Sequence, residues 1–440
     1  MSESPTTTDF AAGYAKRRAR LAASITRGIA IVPTAPERQR NRDSFYPYRY
    51  DSYFYYLTGF VEPAAVLVVI AGDHPKSVLF CRDKDKEREI WDGFRYGPDA
   101  ARVTFGFDEC YKISELDERM TALLADQPQI CCHLGSDDAW DARVLGWLNA
   151  VRAQVRNGVT APAAITDVRT VLDEMRLIKD ARELATMRCA AQISTAAHQR
   201  AMRATAPGRA EYEIEAELLH EFRRGGAQAP AYTSIVAGGA NACVLHYVQN
   251  DAALNAGELL LIDAGCELDG YASDITRTFP VSGTFSAAQR DVYQLVLAAQ
   301  AAAIAEVAPG AAWNAPHDAA VRALARGFID LGLCRGSVDG VLESGTYKQF
   351  YMHRTGHWLG LDVHDVGDYK RDGAWRKLEP GMVLTVEPGC YIRAGDGIPA
   401  HYADIGIRIE DDVAVTAAGY EVLTQAAPKN VADIEALMHK

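Results

Sequence analysis

The sequence has no apolar run long enough to cross a bilayer. The longest, Ala64 to Ala71, has the length of a strand, whereas a membrane helix needs about 20 residues. Met1 to Arg20 is polar and then basic with no apolar core behind it, so no secretory leader is expected. No C-x-x-C pair occurs among the nine cysteines, an odd number. In a large chain this reads as reduced, mostly buried thiols rather than a disulfide framework or a zinc knuckle. A basic excess is also missing. The net charge is −12, and an acidic field repels nucleic acid. There is no G-x-S-x-G elbow, no P-loop and no H-E-x-x-H helix, so three common routes to hydrolysis or phosphate chemistry have no support. The expectation is a cytoplasmic protein that engages neither nucleic acid nor membrane.

What is present is ordinary globular material. With 48% hydrophobic and 24% charged residues, the chain can fold, and 440 residues exceed what one core usually holds. Ala64 to Ile70 and Ser77 to Phe80 read as neighbouring buried strands around a turn at Gly72-Asp73. Leu116 to Leu124 has helical spacing, and Ile130 to Leu134 reads as a further strand. This alternation predicts a smaller N-terminal α/β domain over 1–175. From Met175 the character changes. Asp180 with Glu183 forms a capping-box pattern opening an Ala-rich helix to about Ala204, and a second helix spans Glu211 to Arg224. Residues 176–440 are therefore expected to form the second domain.

That second part carries a weak internal duplication. The stretch Gly257 to Cys266 can be laid over Gly381 to Cys390, with Gly, acid, Gly and Cys in the same register. Each copy is an apolar strand ending in a carboxylate, Asp263 or Glu387. Each is followed by a strand region with another acid, Asp274 or Glu410. Two facing halves would aim four carboxylates at one place. A turn between Leu268 and Asp269, beside Gly270, would set Asp263 nearly opposite Asp274 on one face. Adjacent buried carboxylates repel, so such a pair needs a shared proton or a cation. In Ile405 to Glu410 the isoleucines take one face, while Arg408 and Glu410 share the other.

Histidines supply the remaining chemistry. His353, His357 and His364 fall close together between small and apolar residues. His246 lies in Asn241 to Tyr247, which reads as an apolar strand, and His401 sits in a Gly/Pro-rich loop and receives no role. Four carboxylates with one imidazole make an oxygen-rich set suited to divalent ions, Mn2+ ahead of Zn2+, with Co2+ also acceptable. Five such ligands with bridging carboxylates suit two metals about 3.5–4 Å apart.

His246-Tyr247, Asp263 with Asp274, His357 to Asp365, Thr385 to Gly389 and Gly406 to Asp411 together resemble the metallopeptidases of the pita-bread fold, specifically the Xaa-Pro aminopeptidase (aminopeptidase P) family. Asp43 to Arg49, Leu57 to Phe60 and Glu62-Pro63 are similar to that family's N-terminal domain, so the likeness runs from about Arg40 nearly to the end. The resemblance implies an α/β (α+β) fold with a C-terminal pita-bread domain. It implies that Asp263, Asp274, His357, Glu387 and Glu410 bind two metals, with Asp274 and Glu410 bridging. His246 and His364 match histidines that contact substrate and tetrahedral intermediate, His353 matches one lining the cleft, and Arg408 matches an arginine beside the metals.

The expected partners are peptides with proline at the second position. A hydroxide bridging two cations would attack the carbonyl before proline, with Glu387 moving the proton. The N-terminal domain is expected to shape access and to build dimers or tetramers, and Trp91, in a charged loop, could contact a neighbour's substrate. Two alternatives remain at this point. A prolidase would cleave Xaa-Pro dipeptides with the same metal core, and a non-catalytic pita-bread binding protein would keep the fold without the chemistry.

Overall fold

A computed structural model describes residues 7–439; residues 1–6, part of the segment read for a leader, and Lys440 lie outside the described residues. Among the described residues no helix is long and apolar enough to cross a membrane. The chain separates into two compact units, which meet in sequence between Met175 and Arg176.

The first unit opens with helix α1 (Thr7–Ile25) and builds a mixed six-stranded sheet. Its strands are β1 (Gly28–Pro33), β2 (Val66–Ala71), β3 (Lys76–Cys81), β4 (Glu109–Lys112), β5 (Gln129–Cys132) and β6 (Ala164–Asp167), in the order β4-β3-β2-β1-β5-β6. β2 and β3 are antiparallel neighbours, with Val68 facing Val78. Alternate residues Ile29, Ile31, Val66, Val68, Val78 and Phe80 join one buried cluster with Leu116, Met120 and Leu124. This follows from the two-residue period of a strand meeting the apolar stripe of a helix. Trp91 lies in a helix, α2 (Lys86–Asp92), rather than in a loop. The Asp85 carboxylate accepts from the amides of Glu87 and Arg88 and caps this strongly charged turn, leaving Trp91 83% exposed.

The second unit is a pita-bread fold, in which helices pack against curved antiparallel sheets. Helix α3 (Ala181–Ala204) begins with the Asp180–Glu183 capping box, and α4 (Glu211–Arg224) follows it. Helices α5 (Ala287–Ala305) and α6 (Ala315–Asp330) complete the helical layer. Strand β7 (Ile235–Gly238) pairs with β8 (Leu259–Asp263), which pairs with β11 (Thr276–Pro280). Between them, β9 (Cys266–Leu268) and β10 (Tyr271–Ala272) form a hairpin. The second copy of the duplication supplies β12 (Val383–Val386), β13 (Gly389–Ile392), β14 (Ile405–Arg408), β15 (Asp411–Thr416) and β16 (Gly419–Val422). β12 pairs with β15, and β13 with β14. Ile405, Ile407 and Ile409 enter a large core with Ala190, Val292 and Phe328, so the opposite face of the same stretch is free to carry Arg408 and Glu410.

The register of the first hairpin differs from expectation by one residue. Asp269 and Gly270 both have positive φ, 48° and 81°, as a two-residue I′ turn demands. Leu268 therefore faces Tyr271, and Asp263 faces Thr276, not Asp274. Asp263 and Asp274 become diagonal neighbours and still share a face, because the slip moves the partner by two positions. In the second copy the acids do stand opposite. The ladder runs from Val386 facing Asp411 to Gly389 facing Arg408, and carrying it across the gap sets Glu387 against Glu410.

The matched glycines of the duplication have a steric reason. A Cβ on Gly265 would stand 1.7 Å from the Ser273 carbonyl oxygen, and one on Gly389 2.9 Å from that of Ile407. Each glycine lets the returning strand approach just after the acid.

Candidate metal centre

The four carboxylates gather because each terminates or follows a strand of the two related ladders. His357 joins them through its backbone, since the loop carrying it runs along β12. The His357 carbonyl accepts from Thr385 N at 3.0 Å, and the Thr355 carbonyl accepts from Glu387 N at 2.8 Å. The far end of this loop is held by Asp365, which accepts from Arg176 at 2.6 Å and from Lys179 at 2.9 Å, all three buried.

The result is a cleft of about 880 Å³ in the second unit. His246, Asp263, Asp274, His353, His357, His364, Glu387, Arg408 and Glu410 all line it. Ligand atoms of Asp274, His357 and Glu410 lie within 4.8 Å of one another. Glu387 Oε1 is 3.7 Å from His357 Nε2. Asp263 is tied to Arg408 at 2.6 Å and accepts from the Tyr232 hydroxyl at 2.7 Å, which also reaches Asp274.

Crowding these groups into one cleft moves their titration in opposite directions. Burial pushes Glu387 up to about 7, and burial with the charges of Asp274 and Glu387 drives Glu410 well above the carboxylate range. Burial raises Asp263 too, against the pull of Arg408. Burial alone would raise Asp274, but His357 and the Tyr232 hydroxyl outweigh it and hold it low. Burial lowers the His357 imidazole, yet Asp274 and Glu387 overcome that and bring it up to about 9.

The donor set fits a divalent ion on a specific observation. His357 Nδ1 donates to the Trp358 carbonyl at 2.9 Å. That leaves Nε2 facing Asp274 Oδ2 at 3.4 Å and Glu387. A lone pair aimed at carboxylate oxygens is repulsive unless a proton or a metal lies between them, and an orienting carbonyl behind the ring is what metal-bound histidines use.

The other histidines divide. His353 Nε2 bonds the Tyr391 hydroxyl at 2.8 Å and Nδ1 the Arg354 carbonyl at 2.7 Å, and burial pushes its pKa down to about 3. His364 lies edge-on to His357, ring centroids 4.2 Å apart, and is exposed at the rim. His246 does not sit on a strand. Gly239 turns the chain at φ 56°, a short 3-10 helix covers Gly239–Cys243, and His246 follows in an exposed turn where its ring needs no buried partner. His401 is exposed and does not line the cleft.

Four further residues of the site are not among those the sequence singles out. Tyr232 is one hydroxyl from a distant loop. Thr276, the ladder partner of Asp263, donates to Glu410 at 2.6 Å and accepts from Arg408 at 3.1 Å. Tyr391 accepts from Arg408 at 3.0 Å. Buried Asp412 accepts from Asp274 N at 3.2 Å. Asp412 could have been suspected from the acid run Glu410-Asp411-Asp412; the others could not.

Residues 185–417 match the family model of metallopeptidase family M24, and residues 14–131 match that of the aminopeptidase P N-terminal domain. The chain is 45% identical to the Xaa-Pro aminopeptidase of Haemophilus influenzae over 97% of both chains. It is similar to the structure of the aminopeptidase PepP of Pseudomonas aeruginosa, with 50% identity, a TM-score of 0.96 and coverage of 100% of this chain and 99% of that one. A structure of zinc-substituted Escherichia coli aminopeptidase P in complex with product aligns at 44% identity and TM-score 0.95 over 98% of each chain.

Proposed function

Since the chain belongs to metallopeptidase family M24 and, within it, to the Xaa-Pro aminopeptidases, we propose that it hydrolyses the bond between an N-terminal residue and a following proline, using two divalent cations held by Asp263, Asp274, His357, Glu387 and Glu410. The observation that carries this is the meeting of Asp274, His357 and Glu410 within 4.8 Å inside the cleft. Mn2+ leads for an oxygen-rich set, with Zn2+ and Co2+ as substitutes. Bound there, the cations supply an acidified water as nucleophile and a Lewis acid for the scissile carbonyl.

The chain's own residues do the rest. Asp274 and Glu410, whose carboxylate oxygens come within 4.8 Å of one another and of His357, would hold the cations together with Asp263, His357 and Glu387. Glu387, half-buried at the junction of the two ladders, takes the water proton and returns it to the prolyl nitrogen, a tertiary amide with no proton of its own. His364 and His246, at the rim, donate to the substrate carbonyl as charge develops on it. His353 lines the proline side, oriented by Tyr391. Arg408 fixes Asp263 and Tyr391 together. The carboxylates attract the free α-amino group, which favours an aminopeptidase.

In this reading residues 176–440 carry catalysis, while residues 1–175 govern access and assembly into a dimer or tetramer, with Trp91 directed to a neighbour's cleft. Cytoplasmic residence belongs to the same reading and fits nine unpaired thiols, most of them buried. The test is turnover of Xaa-Pro-Yaa against Xaa-Pro by metal-stripped protein reloaded with Mn2+, Zn2+ or Co2+. Cleavage of the tripeptide is expected. Cleavage of the dipeptide alone marks a prolidase, and no turnover with metal bound marks a binding protein.

A further inference from the structure

The cleft is charged at both extremes, but with opposite sign. Three cationic side chains line it: Arg354, Lys370 and Arg408. Arg408 is committed to Asp263. Arg354 and Lys370 form no ion pair within 4.0 Å among the described residues; the nearby Asp368 and Asp372 are exposed and do not pair with them. Both instead lean on one indole. Lys370 Nζ stands 4.3 Å from the Trp375 ring centroid and the Arg354 guanidinium carbon 5.0 Å.

This arrangement is built rather than incidental. Lys370 and Trp375 are directly opposite each other across a short hairpin, Lys370–Arg371 against Ala374–Trp375. Arg354 is anchored from the other side by a bond to Asn314 Oδ1 at 3.1 Å. A cation held over an indole keeps its remaining N–H donors pointed away from the ring and available. Both heads are exposed, whereas Asp274 and Glu410 are buried and Asp263 and Glu387 half-buried, so the cationic pair sits at the mouth and the acids at the floor. In a chain of net charge −12, two unpaired cations at the mouth of an acidic cleft are an exception that needs a partner.

We infer that Arg354 and Lys370, set by Trp375, recognise a carboxylate of the substrate downstream of its proline, making this enzyme selective for short peptides with a free C-terminus or for peptides with an acidic residue there. This rests on the aminopeptidase reading above, which places the substrate's ammonium group at the acidic floor. A peptide bound across the cleft then meets opposite charge at each end, and a guanidinium matches a carboxylate by two parallel donors.

The test compares kcat/KM for Ala-Pro-Ala, Ala-Pro-Ala amide and Ala-Pro-Asp amide, on metal-loaded wild type, Lys370→Met, Arg354→Met and the double variant. The expected result is a preference of about 5–20-fold for the free acid, or for the Asp amide, over the neutral amide, in the range of a charge-assisted contact at an exposed site. The first preference identifies the terminal carboxylate as the ligand and the second an acidic side chain. Either preference should shrink with added salt and fall to near parity in the double variant, while turnover of the neutral amide stays within about twofold. Equal wild-type rates on all three peptides, or a preference that survives in the double variant, overturns the inference and leaves the aminopeptidase reading standing. Failure to cleave any of the three overturns both.

Discussion

The Tyr232 hydroxyl lies 2.7 Å from Asp263 and also bonds Asp274, so one half-buried proton donor joins the two carboxylates of the first ladder. Burial and those two acids hold the phenol far above its ordinary range, so it stays protonated and donates. Without it, the diagonal pair has no neutral spacer, and only Arg408 on Asp263 and His357 on Asp274 are left to orient the two acids. Tyr232→Phe is therefore expected to fold normally but to bind metal about 10–100-fold more weakly, the usual cost of losing an orienting partner behind a ligand. Titration of metal-stripped protein by calorimetry checks this, and unchanged affinity would show the hydroxyl to be idle.

Asp274→Ala removes a carboxylate that lies within 4.8 Å of His357 and Glu410 and that the proposed reading makes a metal ligand. Metal binding and activity are expected to vanish together. Elemental analysis beside a peptidase assay is the check. Full turnover with stoichiometric metal would remove Asp274 from the ligand set.

His364 belongs to the exposed rim, edge-on to His357. His364→Ala should keep its metals and lose about 10²–10³ in kcat, the scale of one donor to a developing oxyanion. An intact kcat in a metal-replete variant would make the residue structural.

Acid stability offers a prediction independent of metal content. His198 is fully buried, donates through Nε2 to the Ala264 carbonyl at 2.9 Å, and is pushed by burial from 6.5 down to about 4. Its folded value lies below its unfolded one, so the unfolded chain takes up a proton first as pH falls. The stability it protects is present above about pH 6.5 and is lost progressively towards pH 4, by about 2 kcal/mol between pH 7 and pH 5. In urea melts of metal-stripped protein, His198→Gln should flatten the pH slope of stability by that amount. A slope identical to wild type would show that His198 is not buried neutral.

Much of this architecture could be read from the chain because its signals are local. The Asp180–Glu183 box opens helix α3, and the last Ala-rich turn closes it at Ala204. Continuous apolar runs mark Leu259–Asp263 and Val383–Val386 as buried strands ending at an acid. The register of the first hairpin was less legible. It depends on whether Asp269 accepts a positive φ, which Asp does often enough to shift the turn by one residue. His246 reads as a strand residue because an apolar run looks the same whether it pairs or turns, and Gly239 decides that only through its backbone. Tyr232, Thr276 and Tyr391 were invisible for a different reason: each acts through one hydroxyl, and a single polar atom leaves no period and no spacing.

The two ladders that meet at the site come from separate copies of the duplicated segment, Asp263 with Asp274 in one and Glu387 with Glu410 in the other. An ion bound between them is thus a clasp across distant stretches of chain. Such a clasp exists only when both copies have docked, so the ion adds its binding free energy to the folded state alone. A chelator should then behave as a mild denaturant that loosens this half of the molecule before anything else, visible as earlier amide exchange in Leu259–Asp263 and Val383–Val386 than in the helices behind them.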